Sequence, residues 1–222
     1  MRDFHKYKAL GENPGVSEAG IVFVVDDDVA VREAIASLVR SVRLEVRTFD
    51  SAQEFVAALP LDGPGCLVLD VRLPGSSGLD LQRDLRARDV RLPIIFLTGY
   101  GDVPMTVRAM RAGAIEFLIK PFRDQDLLDA IQRGLEQSRA EHLEQLELAE
   151  LMKRYESLTP RECQVMAEVV AGLPNKKIAA EFGTSEATIK LQRSQVMQKM
   201  RAGSLAELVR LAARLSSGRT PS

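Results

Sequence analysis

The chain has 222 residues, 45% hydrophobic, 27% charged and 5% aromatic, which excludes wholesale disorder and allows one large domain or two small ones. Two distant cysteines, Cys66 and Cys163, and only two histidines exclude a disulfide scaffold, a cysteine zinc site and a histidine-rich metal centre. The formal net charge of −1 hides an asymmetry: residues 21–137 carry net −4 and residues 157–222 net +5, which points to nucleic-acid contact at the C-terminal end.

Residues 1–20 read as a flexible arm, broken by Gly11, Asn13, Pro14 and Gly15, without the apolar centre of a secretory signal. Ile21-Val22-Phe23-Val24-Val25 follows as a β-branched run with the pattern of a strand buried on both faces. Further runs stand at Cys66–Leu69, Pro93–Leu97 and Ile115–Ile119, with a weaker one at Leu44–Phe49. Helical spacing lies between them, as in Val31, Ile35, Leu38 and Val39. Five strands alternating with helices predict a doubly wound parallel sheet, a flavodoxin-like α/β fold whose core covers residues 21–123. Residues 124–156 predict its last helix, extended into a helical linker with at most a weak coiled-coil pattern. Residues 157–215 predict an all-α unit. Thr159 caps its first helix ahead of Pro160, Asn175 caps the second, and the turn Phe182–Ser185 joins two helices in helix-turn-helix fashion. Residues 216–222 read as a disordered tail. No apolar run approaches the ~18–20 residues that span a bilayer, so a cytoplasmic protein without a membrane partner is expected.

In an open parallel sheet, ligands bind outside the carboxyl ends of the strands. There the sequence puts Asp26, Asp27 and Asp28, then Asp70, then Thr98, then Lys120. Asp28 reads as a helix cap. The other carboxylates repel one another, and a hard divalent cation, Mg²⁺ or Mn²⁺, relieves that repulsion. One carboxylate beside it can then attack phosphorus, with the metal and Lys120 countering the charge on the transferred group.

Val24-Val25-Asp26-Asp27-Asp28, Leu69-Asp70-Val71-Arg72-Leu73-Pro74-Gly75, Leu97-Thr98-Gly99 and Lys120-Pro121-Phe122 together resemble a two-component receiver domain over about 21–137. The resemblance implies Asp70 as phosphoacceptor. It also implies Asp26, Asp27, Asp70 and the main-chain carbonyl of Arg72 as metal ligands. Thr98 becomes the switch hydroxyl and Lys120 the phosphoryl-binding lysine, with a cis Lys120–Pro121 bond. Phe117 falls at the aromatic switch position, where it can pack but offers no hydroxyl.

The C-terminal Leu158-Thr159-Pro160-Arg161-Glu162, Asn175-Lys176-Lys177-Ile178-Ala179 and Thr188-Ile189-Lys190 resemble the LuxR-type domain of NarL/FixJ response regulators, nearest the FixJ branch. The helix from about Glu186 to Met200 would then enter the major groove of double-stranded DNA. Arg193 and Lys190 would contact bases or phosphates, with Ser194 on the same surface, Leu191 and Gln192 near the same entry edge, and Lys176, Lys177 and Lys199 at phosphates. Gln192 stands where the family commonly has His. No row of aromatic residues lines this unit for single-strand stacking; its single aromatic is Phe182.

The resemblance implies a transcriptional response regulator phosphorylated on Asp70 by a sensor histidine kinase. It would dimerise on phosphorylation through Val103–Ile119, with RNA polymerase as a further candidate partner. The receiver would be consumed as substrate rather than turn over. Two rivals are a constitutive DNA-binding dimer with a phosphate-independent receiver and a Mg²⁺-dependent aspartyl-phosphate phosphatase. The second lacks a capping domain over the crevice.

Overall fold

A computed structural model describes residues 20–61, 63–99 and 103–217. The expected N-terminal arm, apart from Gly20, lies outside them. The chain forms two compact units, one reaching Leu143 and one beginning at Glu144.

The first unit holds β1 (Ile21–Val25), α1 (Val29–Ser41), β2 (Glu45–Phe49), α2 (Ala52–Ala57) and β3 (Gly65–Asp70). A small hairpin of β4 (Arg72–Leu73) and β5 (Ser76–Ser77) follows, then α3 (Gly78–Ala87), β6 (Ile94–Thr98), α4 (Val103–Arg111) and β7 (Glu116–Ile119). The helix α5 (Asp124–Glu156) begins in this unit. Five strands pair in parallel in the order β2-β1-β3-β6-β7. The order reverses between β1 and β3, and such a switch point opens a crevice at the strand ends.

Alternate residues of the buried strands feed two cores. Phe23, Val25, Leu67, Leu69 and Phe96 face one side with Phe55, Leu81 and Leu85. Val22, Val24, Cys66, Val68, Ile95 and Leu97 face the other with Ile35, Val39, Leu127, Ile131 and Leu135. Aromatic edges consolidate the first core, with ring centroids 5.8 Å apart for Phe23–Phe55 and 5.3 Å for Phe49–Phe55. The weak signal at β2 has a plain cause: it is an edge strand, and only Phe49 of its five residues is buried. Gly134 lies inside α5 because a Cβ there would stand 2.6 Å from Cys66 Sγ. Burial pushes that thiol up to about 12, so it stays protonated and unreactive.

Two-residue strands carry no period, and the β4–β5 hairpin is absent from the expected elements. Its turn is Pro74-Gly75, with Gly75 at φ 78°, the positive angle that a type II turn needs at its third position. Gly78 then starts α3 against the end of β3, where any Cβ would collide with the Asp70 carbonyl oxygen. The buried Gln82 ties α3 to the end of α4, donating from Nε2 to the carbonyl of Ala112 at 3.2 Å and towards that of Ala109 at 3.5 Å.

The second unit holds the rest of α5, then α6 (Pro160–Val170), α7 (Asn175–Glu181), α8 (Glu186–Lys199) and α9 (Leu205–Ser217). Thr159 and Glu162 form a reciprocal capping box at α6. The expected Asn175 cap does not form. Pro174 occupies the N-cap position with no side-chain bond, and Asn175 is the first helical residue, its Oδ1 taken by Arg193. Gly183, at φ 62°, makes the turn between α7 and α8, and Ser185 caps α8. The expected tail is shortened, because Ser216 and Ser217 are helical; both hydroxyls donate back to carbonyls four residues earlier.

The linker is less free than its mixed heptads suggest. The start of α5 packs in the receiver-side core through Leu127, Ile131 and Leu135. Its end packs in the second core, where Leu151 is buried and Met152 and Tyr155 pack against the cluster that includes Val165, Ile178 and Ile189. Leu143 and Leu146, between these anchors, are exposed. Among the described residues no helix is long and apolar enough to cross a membrane.

Candidate functional site

Strand register brings the expected site residues together. Val25 pairs with Leu69, Asp70 with Leu97, and Thr98 with Ile119. Asp26, Asp70, Thr98 and Lys120 therefore stand at the ends of neighbouring strands across the switch point. Asp26 and Thr98 are 1% exposed and Asp70 8%, while Asp27 faces solvent.

Lys120 Nζ donates to Asp26 Oδ2 at 2.6 Å and lies 3.5 Å from Asp70 Oδ1. Burial opposes its charge, but the bond to Asp26 and the charges of Asp26 and Asp70 outweigh this and raise its pKa. The Asp70 carboxyl is pushed above the usual carboxylate range, first by burial. Lys120 pulls it back, and the charges of Asp26 and Asp27 push it up again. The Lys120 N–H donates to the Thr98 carbonyl at 2.7 Å, fixing the ends of β6 and β7 together, and Lys120–Pro121 is cis as expected. Asp28 caps α1, accepting from the Ala30 N–H at 2.8 Å, in accord with its expected role. Arg72 begins β4, two residues after Asp70, and is exposed. Phe117 is half-buried, its ring centroid 6.2 Å from that of Phe96.

Carboxylate oxygens of Asp26, Asp27 and Asp70 lie within 4.8 Å of one another, a hard-oxygen donor set that fits Mg²⁺. Among the described residues, Lys120 sets one positive charge beside these oxygens, against three carboxylates.

In the second unit, α8 buries Ile189 and Val196, with Met200 at its C-cap. Among its exposed residues, Ala187, Lys190, Leu191, Ser194, Gln195 and Gln198 are spaced three and four apart on one stripe. Lys190, Leu191 and Ser194 thus lie as expected on the exposed face, and Lys176 and Lys177 are exposed at the start of α7. The other expected contacts are placed differently. Arg193 is half-buried at the flank, donating from Nη1 to Asn175 Oδ1 at 3.2 Å, so it braces α8 against α7. Gln192 is half-buried with its Oε1 enclosed. Lys199 is committed inward: Nζ donates to Glu162 Oε2 at 2.6 Å and to the Ser157 carbonyl at 3.2 Å. Gln195 and Gln198 lie on the same stripe as Leu191, four and seven residues on, a spacing that the sequence already carries.

The chain matches the family model described as "Response regulator receiver domain" over residues 22–132 and that described as "Bacterial regulatory proteins, luxR family" over 156–212. It is 50% identical over 205 residues to Nodulation protein W of Bradyrhizobium diazoefficiens, covering 92% of this chain and 90% of that one. It is 44% identical to the transcriptional regulatory protein FixJ of the same organism, covering 88% and 95%. The chain belongs to the FixJ branch of the NarL/FixJ response regulators. The solved structure of the response regulator StyR has the same fold, with a TM-score of 0.80 and 48% identity over 88% of this chain and 99% of that one. This response regulator is therefore a transcriptional regulator with a receiver and a LuxR-type DNA-binding domain.

Lys199 separates fold from DNA contact. Its bond is the first cause, and the Thr159 N–H the second, that hold the Glu162 carboxyl below the usual range. A lowered carboxyl stabilises the folded form above its unfolded pKa and loses that contribution as pH falls through the folded value. Lys199→Met is expected to destabilise the second unit by about 1 kcal/mol at neutral pH. The loss should shrink in acid, where Glu162 becomes protonated. Thermal melting at several pH values checks this; an unchanged melting temperature with weakened DNA binding would return Lys199 to the phosphate-contact set.

Proposed function

We propose that this regulator is switched by phosphorylation of Asp70. The observation that carries the reading is the register that sets Asp26, Asp70, Thr98 and Lys120 at neighbouring strand ends, with Lys120 between two carboxylates. An Asp70 carboxylate oxygen attacks the phosphorus of a phosphohistidine on a sensor kinase. The P–N bond breaks, the imidazole leaves, and an acyl phosphate remains on Asp70. Asp26, Asp27, Asp70 and the Arg72 carbonyl would hold Mg²⁺, which when bound offsets the charge of the transferring group. Lys120 supplies the second positive charge, and the Thr98 hydroxyl donates to a phosphoryl oxygen. The site is modified once per signal, so the protein is a phosphotransfer substrate rather than a turnover enzyme.

Thr98 ends β6, and its shift towards the phosphoryl group would bias Phe117 and the α4–β7 face beside it. Val107, Met110 and Ile119 on that face are already 41%, 42% and 55% exposed, apolar area suited to a homodimer. Pairing two receivers would present two α8 helices to a two-fold site on double-stranded DNA. Lys190, Leu191 and Ser194, joined by Gln195 and Gln198, form the reading face, with Lys176 and Lys177 at phosphates. Output then passes to RNA polymerase at the promoter.

The direct test is to treat the full chain with acetyl phosphate and Mg²⁺, trap the acyl phosphate with borohydride, and map it by mass spectrometry. Modification at Asp70 alone is expected. Modification elsewhere, or none, would overturn the reading.

A further inference from the structure

The metal-site reading leaves open what aims Asp26. Its side chain is bound on both oxygens: Oδ2 by Lys120, and Oδ1 by the Asp28 N–H at 2.9 Å. Its backbone N–H lies 3.3 Å from the Phe49 carbonyl of β2. Its carbonyl accepts from Arg32 Nη1 at 2.6 Å. Arg32 thus reaches back from the first turns of α1 to the residue that ends β1, across the turn carrying Asp26, Asp27 and Asp28. A charged donor at that distance belongs to the strong class of hydrogen bonds. The Asp28 carboxylate caps α1 through its Oδ1. The half-buried Arg32 side chain also lines a surface cavity of about 450 Å³ with Glu33, Ala36, Arg40 and Thr48.

We propose that Arg32 is a positioning residue of the acidic site: its bond to the Asp26 carbonyl sets the direction in which Asp26 and Asp27 present their carboxylates to a divalent cation. This rests on the reading of Asp26, Asp27 and Asp70 as a Mg²⁺ site. Arg32 touches neither cation nor phosphoryl group. It acts through the turn, as outer-shell partners of metal ligands do, and their loss commonly lowers metal affinity by about 10–100-fold.

The test measures Mg²⁺ affinity of the full chain by calorimetry, with amide hydrogen exchange at Asp27 and Asp28 as a second readout. Arg32→Met should weaken Mg²⁺ binding about tenfold or more and speed exchange in the turn. Arg32→Lys, which keeps a charged donor, should recover part of both. Arg40→Met removes a charge from the same cavity without touching Asp26, and should leave both unchanged. If Arg32→Met binds Mg²⁺ as the wild type does, or if Arg40→Met weakens binding equally, the proposal fails while the metal-site reading stands. A lowered melting temperature with unaltered affinity gives Arg32 only a structural role and also overturns it. A wild type that binds no Mg²⁺ at millimolar concentration removes the underlying metal-site reading, and the proposal with it. Should Arg32→Met fold poorly, the Lys variant decides, because loss of the bidentate-capable fork alone should still weaken binding measurably.

Discussion

Asp70→Asn is expected to abolish the phosphate response of this regulator and, at the same time, to stabilise its receiver. The first effect follows from the proposed role of Asp70 as the carboxylate that takes the phosphoryl group: acetyl phosphate or beryllofluoride with Mg²⁺ should no longer change promoter affinity. The second follows from electrostatics. The Asp70 carboxyl is held above its usual range by burial and, against the pull of Lys120, by the charges of Asp26 and Asp27. A raised carboxyl binds its proton more tightly in the folded state. Its contribution to stability is therefore full below the unfolded pKa and is lost as pH rises through the folded value. Above the folded value the protein bears the cost of an ionised Asp70. Asn removes that charge, and Lys120 keeps its bond to Asp26. The gain should be about 0.5–2 kcal/mol, the range of single stabilising substitutions. It should be largest in EDTA and should vanish as pH drops into the carboxylate range. Thermal melting with and without Mg²⁺ reads both parts; a variant less stable than wild type at neutral pH would contradict the electrostatic account.

The second large effect is on DNA. Lys190→Ala and Gln195→Ala should each lower affinity for the specific site by about 1–3 kcal/mol while changing non-specific affinity less, as expected of base-edge contacts. Lys176→Ala and Lys177→Ala should instead weaken binding to all sequences and reduce the salt slope by about one per residue. The exposed Leu191 suits the methyl group of thymine. Binding isotherms on specific and scrambled duplexes at two salt concentrations separate the classes. If Gln195→Ala binds the specific site as the wild type does, the outward stripe of α8 is not the reading face.

The receiver was legible because its chemistry stands at strand ends. A parallel strand buried on both faces reads as a continuous apolar run, and the residue that follows each run marks a strand end at the crevice. Asp26, Asp70, Thr98 and Lys120 could be found that way without knowing the register. Arg32 could not: a charged residue on an amphipathic helix reads as solvated until its bond to the Asp26 carbonyl is seen. The bonds of Asn175 and Lys199 were hidden for a related reason. Asn175 has the right chemistry for a cap, but its oxygen is claimed by Arg193 from another helix. Lys199 lies 37 residues from Glu162, so no local pattern announces the pair. The hairpin after Asp70 was hidden by the shortness of its strands, and the linker by its division of labour. Each end of α5 belongs to a different core, which blurs any single heptad stripe.

The central claim is that chemistry at Asp70 controls assembly. Sedimentation of the full chain with and without beryllofluoride plus Mg²⁺, with Asp70→Asn in parallel, tests it most directly. The account predicts that the wild type passes from monomer to dimer on treatment and that the variant does not. A wild type whose mass is the same in both conditions, or a variant that dimerises as the wild type does, would contradict it.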